Sequence, residues 1–138
     1  MPLIAFSQLS PQSKKITKKF FPDPKIEINT PAFNKKKGFT KYDEMMSFLY
    51  DKISKHSNEV RIEFVGESQK GKKIPILFFD RKNNKEKVKV FFQAGLHGNE
   101  PASTEGILYL IDQILTKPEH NKLLDRITLA IIPMANID

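Results

Sequence analysis

The 138-residue sequence contains no cysteine and no tryptophan. The lack of cysteine excludes disulfide scaffolds and zinc sites built on thiolates, although it does not fix the redox compartment. No apolar run approaches the length needed to cross a bilayer, so the sequence predicts no membrane span. With 39% hydrophobic and 28% charged residues, the composition is typical of one globular domain of ordinary size.

Positive charge dominates the chain, which has a formal net charge of +7. The excess lies in residues 1–87, because residues 88–138 hold more acidic than basic side chains. Many of the lysines fall in a Lys-, Pro- and Asn-rich stretch near the N-terminus, where such a run is usually a solvated arm. No RNA-binding signature accompanies them, so specific nucleic-acid binding is not predicted.

The N-terminal segment 1–38 is interpreted as an extended basic arm, followed by a domain at 39–138. Pro22, Pro24 and Pro31 exclude a continuous helix in the arm. Residues 1–8, M-P-L-I-A-F-S-Q, resemble the end of a secretory signal but lack its basic start and full apolar core. A frayed terminus is the alternative. We therefore predict a secreted or periplasmic protein, with a cytoplasmic location as the other possibility.

Two segments have helical periodicity. From Thr40 to Ser54, apolar side chains recur on one helical face, with Thr40 as the predicted N-cap and His56 just past the end as a capping or surface residue. A second amphipathic helix follows Pro101, with its apolar positions between Ile107 and Leu115, and ends at Pro118.

Four segments have the composition of strands. Arg61–Val65 and Ile74–Phe79 flank a turn rich in glycine and lysine, which predicts a β-hairpin at a sheet edge. Val88–Ala94 and Ile127–Ile132 are apolar runs that enclose the second helix, so they form a βαβ unit with parallel or neighbouring strands. We expect Val88–Ala94 to be buried and central, and a helical or solvent-exposed segment there would overturn the whole interpretation.

The turn after Val88–Ala94 contains the candidate metal-binding residues. It reads G-L-H-G-N-E-P, with His97 and Glu100 three residues apart at the carboxyl end of a strand, where open α/β sheets place ligands. An imidazole and a carboxylate at this spacing can both reach one zinc ion. The plainer interpretation is a hydrogen-bonded loop, with Glu100 merely capping the next helix.

The order of elements and the H-G-N-E turn resemble the N-terminal half of the zinc carboxypeptidase family. Further matching segments are F-T-K-Y-D-E-M-M, V-G-E-S-Q-K-G-K-K-I and P-M-A-N-I-D, so the resemblance covers roughly residues 38–138. It implies an α/β fold with a mixed sheet and flanking helices, that is, half of a zinc-carboxypeptidase-like (phosphorylase/hydrolase-like) fold. It also implies zinc as the cofactor and His97 and Glu100 as the first two ligands.

The sequence departs from the family pattern at several points. Asn99 stands where digestive members carry a substrate-binding arginine, and Ile137 replaces a proline. The family's third histidine ligand, carboxylate-binding arginine, substrate-contacting tyrosine and general-base glutamate have no counterpart, so the catalytic residues are expected beyond Asp138. His120 is a poor third ligand, because it follows a helix that leads away from the turn, and is interpreted as a solvated loop residue.

Three functions stay open. The first is a fragment of a zinc-dependent metallocarboxypeptidase that acts on the C-terminus of a peptide or protein and is inactive by itself. The second is a zinc amidohydrolase of small N-acyl amino acids, similar to aspartoacylase, and the third is a non-catalytic remnant. Half of a domain would leave a sheet edge uncovered, so we expect Ile127–Ile132 to be prone to aggregation.

Overall fold

A computed structural model of the chain describes residues 13–20, 26–83 and 85–138. Four helices occur in this part of the chain: α1 (Lys14–Phe20), α2 (Tyr42–Lys55), α3 (Ala102–Thr116) and the short α4 (Pro118–Asn121), which leads into a 3₁₀ turn at Lys122–Asp125. The strands are β1 (Val60–Glu67), β2 (Lys73–Phe79), β3 (Val88–Gln93) and β4 (Ile127–Ile132). No helix among the described residues is long and apolar enough to cross a membrane.

The four strands form one mixed sheet in the order β1-β2-β4-β3. β1 and β2 pair as an antiparallel hairpin, β2 and β4 are antiparallel, and β3 and β4 are parallel. The predicted mixed α/β fold, the edge hairpin and the parallel βαβ unit are therefore confirmed. These features follow from short apolar runs separated by a tight turn in one case and by a crossover helix in the other.

The prediction that Val88–Ala94 is buried and central is wrong. β3 is an edge strand in the described sheet, and Val88, Phe91 and Phe92 are 66%, 56% and 42% exposed. The reason is topological: β4 takes the position between β2 and β3, and no described strand pairs with the outer edge of β3. An apolar run shows that a strand can be buried but does not say which neighbours bury it.

The hydrophobic core lies between the sheet and helices α2 and α3. Its fully or nearly fully buried side chains come from both helices, from the 3₁₀ turn and from the three strands other than β3: Met45, Leu49, Val60, Leu77, Phe79, Leu108, Ile111, Leu124, Leu129 and Ile131. An ion pair between Lys52 of α2 and the buried Asp112 of α3 joins the two helices beside this core. The two helices thus contact each other and contribute to the same core as the sheet.

The N-terminal segment differs in part from the prediction of an extended arm, since Lys14–Phe20 is helical. Four lysines and few breakers permit a helical turn there, and the prolines that exclude a continuous helix come only later in the chain. Pro22 and Pro24, like residues 1–8, lie outside the described residues. Residues 26–38 form irregular structure and turns, in agreement with the prolines and lysines of this stretch.

Candidate metal centre

The loop between β3 and α3 holds His97 and Glu100. β3 ends at Gln93, the chain turns through Gly95 with φ of +62°, and α3 begins at Ala102. A side chain at position 95 would place its Cβ 2.8 Å from Thr104 Oγ1 and 3.0 Å from the Cα of Met134. Glycine is therefore required here both for the backbone angle and for the close approach of the neighbouring chain.

The loop is fixed on its α3 side by Ser103. The Gly95 N–H donates to Ser103 Oγ at 3.0 Å, and that hydroxyl donates to the Glu100 carbonyl at 3.3 Å. The Glu100 N–H in turn donates to the His97 carbonyl at 3.1 Å. These bonds close the loop into a compact turn directly before the helix.

A second chain segment holds the loop from the other side. After β4 the chain runs along residues 133–138, where the Ala135 N–H donates to the Ala94 carbonyl at 2.9 Å and the Asn136 N–H donates to the Gly95 carbonyl at 2.8 Å. The side-chain amide of Asn136 also approaches Gly98, where a Cβ would lie 3.4 Å away. The backbone around His97 is thus fixed at several points by segments distant in sequence.

His97 and Glu100 lie in contact, with His97 Nδ1 2.9 Å from Glu100 Oε2. Both side chains are about two-thirds exposed, at 64% and 66%, so each can turn toward a ligand from solvent. Glu100 does not cap α3 through its side chain, and the residue at the N-cap position is Pro101.

This pair has the chemistry of two zinc ligands. Two donors in a tetrahedral zinc site lie about 3.4 Å apart when each is about 2.1 Å from the ion. The observed separation of 2.9 Å can become that distance through a small rotation of an exposed side chain. The residues present therefore fit zinc as a partial ligand set.

A third ligand is not found among the described residues, where no group of three His, Cys, Asp or Glu side chains could hold a metal ion. His56 is the residue that ends α2, and its N–H donates to the Ile53 carbonyl, in agreement with a capping position. His120 is exposed but belongs to α4, so its assignment to a loop is wrong. Pro118 does not only end the preceding helix, because proline is also favoured in the first turn of a new one.

A cleft of about 390 Å³ opens beside the pair and is lined by residues from three parts of the fold. His97, Gly98 and Glu100 form one wall, Lys41 and Tyr42 at the start of α2 contribute another, and Lys72 and residues 136–138 contribute a third. The participation of Tyr42 and Lys72 in this lining was not predicted from the sequence. The family-like hairpin motif that contains Lys72 was the available signal.

Asp138 connects the hairpin turn to the segment that supports the loop. Its carboxylate accepts hydrogen bonds from Ser68 Oγ at 2.9 Å and from the Lys70 N–H at 3.1 Å, while Lys72 Nζ donates to the Ile137 carbonyl at 2.8 Å. Burial tends to raise the pKa of Asp138, but these two hydrogen bonds and the charges of the lysines lower it below its ordinary value. The hairpin therefore stabilises the position of residues 136–138 beside the cleft.

Known proteins with similar sequences and structures include several carboxypeptidases. The chain is 30% identical over 104 residues to carboxypeptidase D of Anas platyrhynchos, which covers 70% of this chain and 8% of that protein. It is 25% identical over 104 residues to carboxypeptidase 2 of Trichophyton rubrum, covering 70% and 19%. The crystal structure of carboxypeptidase A from Helicoverpa armigera superimposes with a TM-score of 0.66 and 26% identity, covering 72% of this chain and 25% of that one.

The sheet, the covering helices and the loop at a strand end place the chain in the class of carboxypeptidase folds. Residues 45–138 match the family described as zinc carboxypeptidase, and the chain belongs to that family. This confirms the resemblance found in the sequence. The chain spans less than a fifth of the length of the two curated relatives described above.

Proposed function

We propose that this chain is part of a zinc-dependent metallocarboxypeptidase, a hydrolase that removes residues from the C-terminus of a peptide or protein. The observation that carries the proposal is the contact between His97 Nδ1 and Glu100 Oε2 at the edge of an open cleft. Family membership over residues 45–138 supports peptide hydrolysis as the reaction class.

In this proposal His97 and Glu100 supply two protein ligands to zinc. When bound, zinc would lower the pKa of a water molecule to about 7 and polarise the scissile carbonyl. The role of the surrounding chain is to hold the two side chains in one orientation, through Ser103 on one side and Asn136 on the other. The cleft beside them is open to solvent and offers room for the end of a peptide.

The third ligand and the general base are proposed to come from residues beyond Asp138 in a longer protein. Two ligands bind zinc much more weakly than three, so residues 1–138 alone should bind the ion weakly and should not hydrolyse peptides. The division into an arm at 1–38 and a partial peptidase domain at 39–138 belongs to this proposal. So does the secreted or periplasmic location, with the cytoplasm as alternative.

The amidohydrolase alternative uses a similar metal turn. What supports the peptidase over it is the extent of the family match, which begins within α2 and includes the β1–β2 hairpin before the metal turn. The non-catalytic alternative predicts no turnover by a chain extended past Asp138. The longer chain therefore distinguishes all three functions, with C-terminal peptide substrates and N-acyl amino acids offered side by side.

Metal binding by residues 1–138 tests the ligand assignment. We expect His97→Ala and Glu100→Ala each to abolish specific zinc binding measured by titration calorimetry, and His56→Ala and His120→Ala to leave it unchanged. Equal losses from all four variants would mean adsorption to any surface imidazole or carboxylate. Peptide hydrolysis by a longer chain that survives His97→Ala would contradict the mechanism itself.

A further inference from the structure

The N-terminal part of the chain exposes an unusual share of large apolar side chains. Of the thirteen large hydrophobic residues that are exposed in the described structure, five lie in residues 13–20 and 26–39, and they are between 43% and 63% exposed: Ile16, Phe20, Ile26, Phe33 and Phe39. Single exposed apolar residues need no explanation, but several in one short stretch indicate an interaction surface.

In the part of the chain that the structure describes, most lysines of the same stretch form no ion pair. In the described structure, no ion pair involves the four lysines of α1, nor Lys36 and Lys37 in the turn before Phe39. Lys35 differs, since its ammonium is 2.6 Å from Glu44. The only carboxylate within these described ranges is Glu27, and it accepts a hydrogen bond from Asn29. The combination of clustered lysines and exposed apolar side chains fits an anionic, partly apolar partner.

An apolar groove adjoins the lysine turn. It has a volume of about 490 Å³, with Ile28, Phe33 and Phe39 on one side and Gly106 and Tyr109 of α3 on the other. Gly106 has no neighbouring atom within 4 Å of the position where a Cβ would be, so the floor of the groove is open. A narrow aliphatic chain fits such a groove better than a flat nucleobase, which needs an exposed ring face for stacking.

Helix α1 gives an independent indication. It has seven residues, none of them buried, and helices of this length are not stable in water without packing. Ile16 and Phe20 are four residues apart and so lie on the same helical side. A basic helix with one apolar stripe is typical of segments that lie in a membrane interface.

We propose that residues 13–20 and 26–39 form a docking surface for a membrane that contains anionic phospholipid. The lysines contact the headgroups, the isoleucines and phenylalanines enter the interface, and the groove beside Tyr109 accepts part of an acyl chain. This surface lies outside the His97 cleft and is independent of the metal centre.

Vesicle binding by the whole chain tests the charge contribution. The protein should sediment with vesicles of phosphatidylcholine mixed with phosphatidylserine and not with phosphatidylcholine alone. Each lysine near such a surface strengthens binding by about fivefold, so K36Q/K37Q should weaken it by about 25-fold. The matched control is K82Q/K85Q, which removes the same charge from exposed positions on a different loop and should change binding little.

A second pair of variants tests the apolar contribution without altering charge. F33S/F39S should weaken vesicle binding by about tenfold, whereas Val65→Ser, at an exposed position on β1, should not. Helicity measured by circular dichroism should rise when mixed vesicles are added.

Three results would overturn the proposal. One is no vesicle binding, and another is an equal loss in K82Q/K85Q, which would mean attraction by net charge alone. The third is that the protein binds a single-stranded RNA oligonucleotide more tightly than it binds mixed vesicles, and that both K36Q/K37Q and F33S/F39S lose this RNA binding.

Discussion

The carboxylate of Glu105 accepts two hydrogen bonds from Thr40. The Thr40 N–H lies 2.7 Å from Oε1, and its hydroxyl lies 2.9 Å from Oε2. Both residues are buried, with Glu105 in the first turn of α3 and Thr40 just before α2. This contact joins the two helices at the end of the fold that carries the loop of His97 and Glu100.

Replacing Glu105 by alanine should destabilise the fold. The change leaves the buried N–H and hydroxyl of Thr40 without an acceptor, which costs about 2 kcal/mol. Glu105→Gln should cost less, because its amide oxygen can still accept one of the two bonds. Urea unfolding followed by circular dichroism measures both.

The control for Glu105 is Glu86→Ala, at an exposed loop position. It should change the free energy of unfolding by no more than about 0.5 kcal/mol. Equal stability of Glu105→Ala and Glu86→Ala would show that the contact with Thr40 does not stabilise the protein.

Thr40 also shows which features local sequence patterns can predict and which they cannot. A threonine before an apolar periodic segment predicts an N-cap, but the helix begins at Tyr42, and the N–H of Lys41 donates to Glu44 instead. Thr40 instead donates its hydrogen bonds to Glu105, which lies 65 positions later in the sequence. The helix could be predicted from its own periodicity, whereas this partner depends on tertiary packing that no local pattern contains.

In the candidate site, too, some contacts are predictable from local sequence and others depend on tertiary structure. The sequence places His97 and Glu100 together because they share one short turn, and the structure has them in contact. Lys72 and Asp138 come near the cleft only through the sheet order, in which β2 lies next to β4. The edge position of β3 was missed for the same reason, since strand order is a property of the whole sheet.

A methyl group at Gly95 should disturb the loop that holds His97 and Glu100 more than a methyl group at Gly38. Both glycines have positive φ, +62° and +89°, but only position 95 also has neighbours within 3.0 Å of a new Cβ, while position 38 has none within 4 Å. Gly38→Ala should therefore cost only backbone strain, about 1 kcal/mol. Gly95→Ala should cost more and should also weaken zinc binding.

Thermal unfolding and zinc titration of the two glycine variants measure this difference. The expected result is a loss of zinc binding in Gly95→Ala alone. Equal effects of both substitutions on stability and on zinc binding would indicate that the packing of Thr104 and Met134 around Gly95 is loose enough to accept a side chain.

The ionisation of Asp138 should make the free energy of unfolding depend on pH in the acid range. Its pKa is lower in the folded protein than its ordinary value of 3.8, so the unfolded chain takes up a proton more readily. The stabilisation is thus fully present above that ordinary value and is lost as the pH falls through the lower folded value.

Asp138→Asn should consequently be less stable than the parent near neutral pH, and the difference should shrink as the pH falls below 3.8. Ser68→Ala removes one of the two hydrogen bonds to the carboxylate and should reproduce part of the effect. Urea midpoints measured across the acid range provide the comparison. A difference between the parent and Asp138→Asn that stays constant with pH would contradict the origin assigned to it.

Ile127–Ile132, expected from the sequence to be the aggregation-prone edge, is β4 and lies between β2 and β3. An exposed edge in the described sheet is β3 instead. β1 is also an edge, but its register is interrupted between Phe64 and Gly66, and it carries alternating charges. Bulges and charges protect edges from pairing with another chain. β3 has neither a bulge nor more than one charge, and its exposed side chains include Val88 and Phe91.

Residues 1–138 should therefore self-associate through β3 in a concentration-dependent way. Phe91→Lys adds a charge to that edge and should shift the sedimentation velocity profile toward monomer, whereas Val65→Lys, on the protected edge, should leave it unchanged. A chain extended past Asp138 should associate less if the added residues cover β3. A monomer at every concentration, or an equal response to both lysine substitutions, would show that β3 is not the surface through which the chains meet.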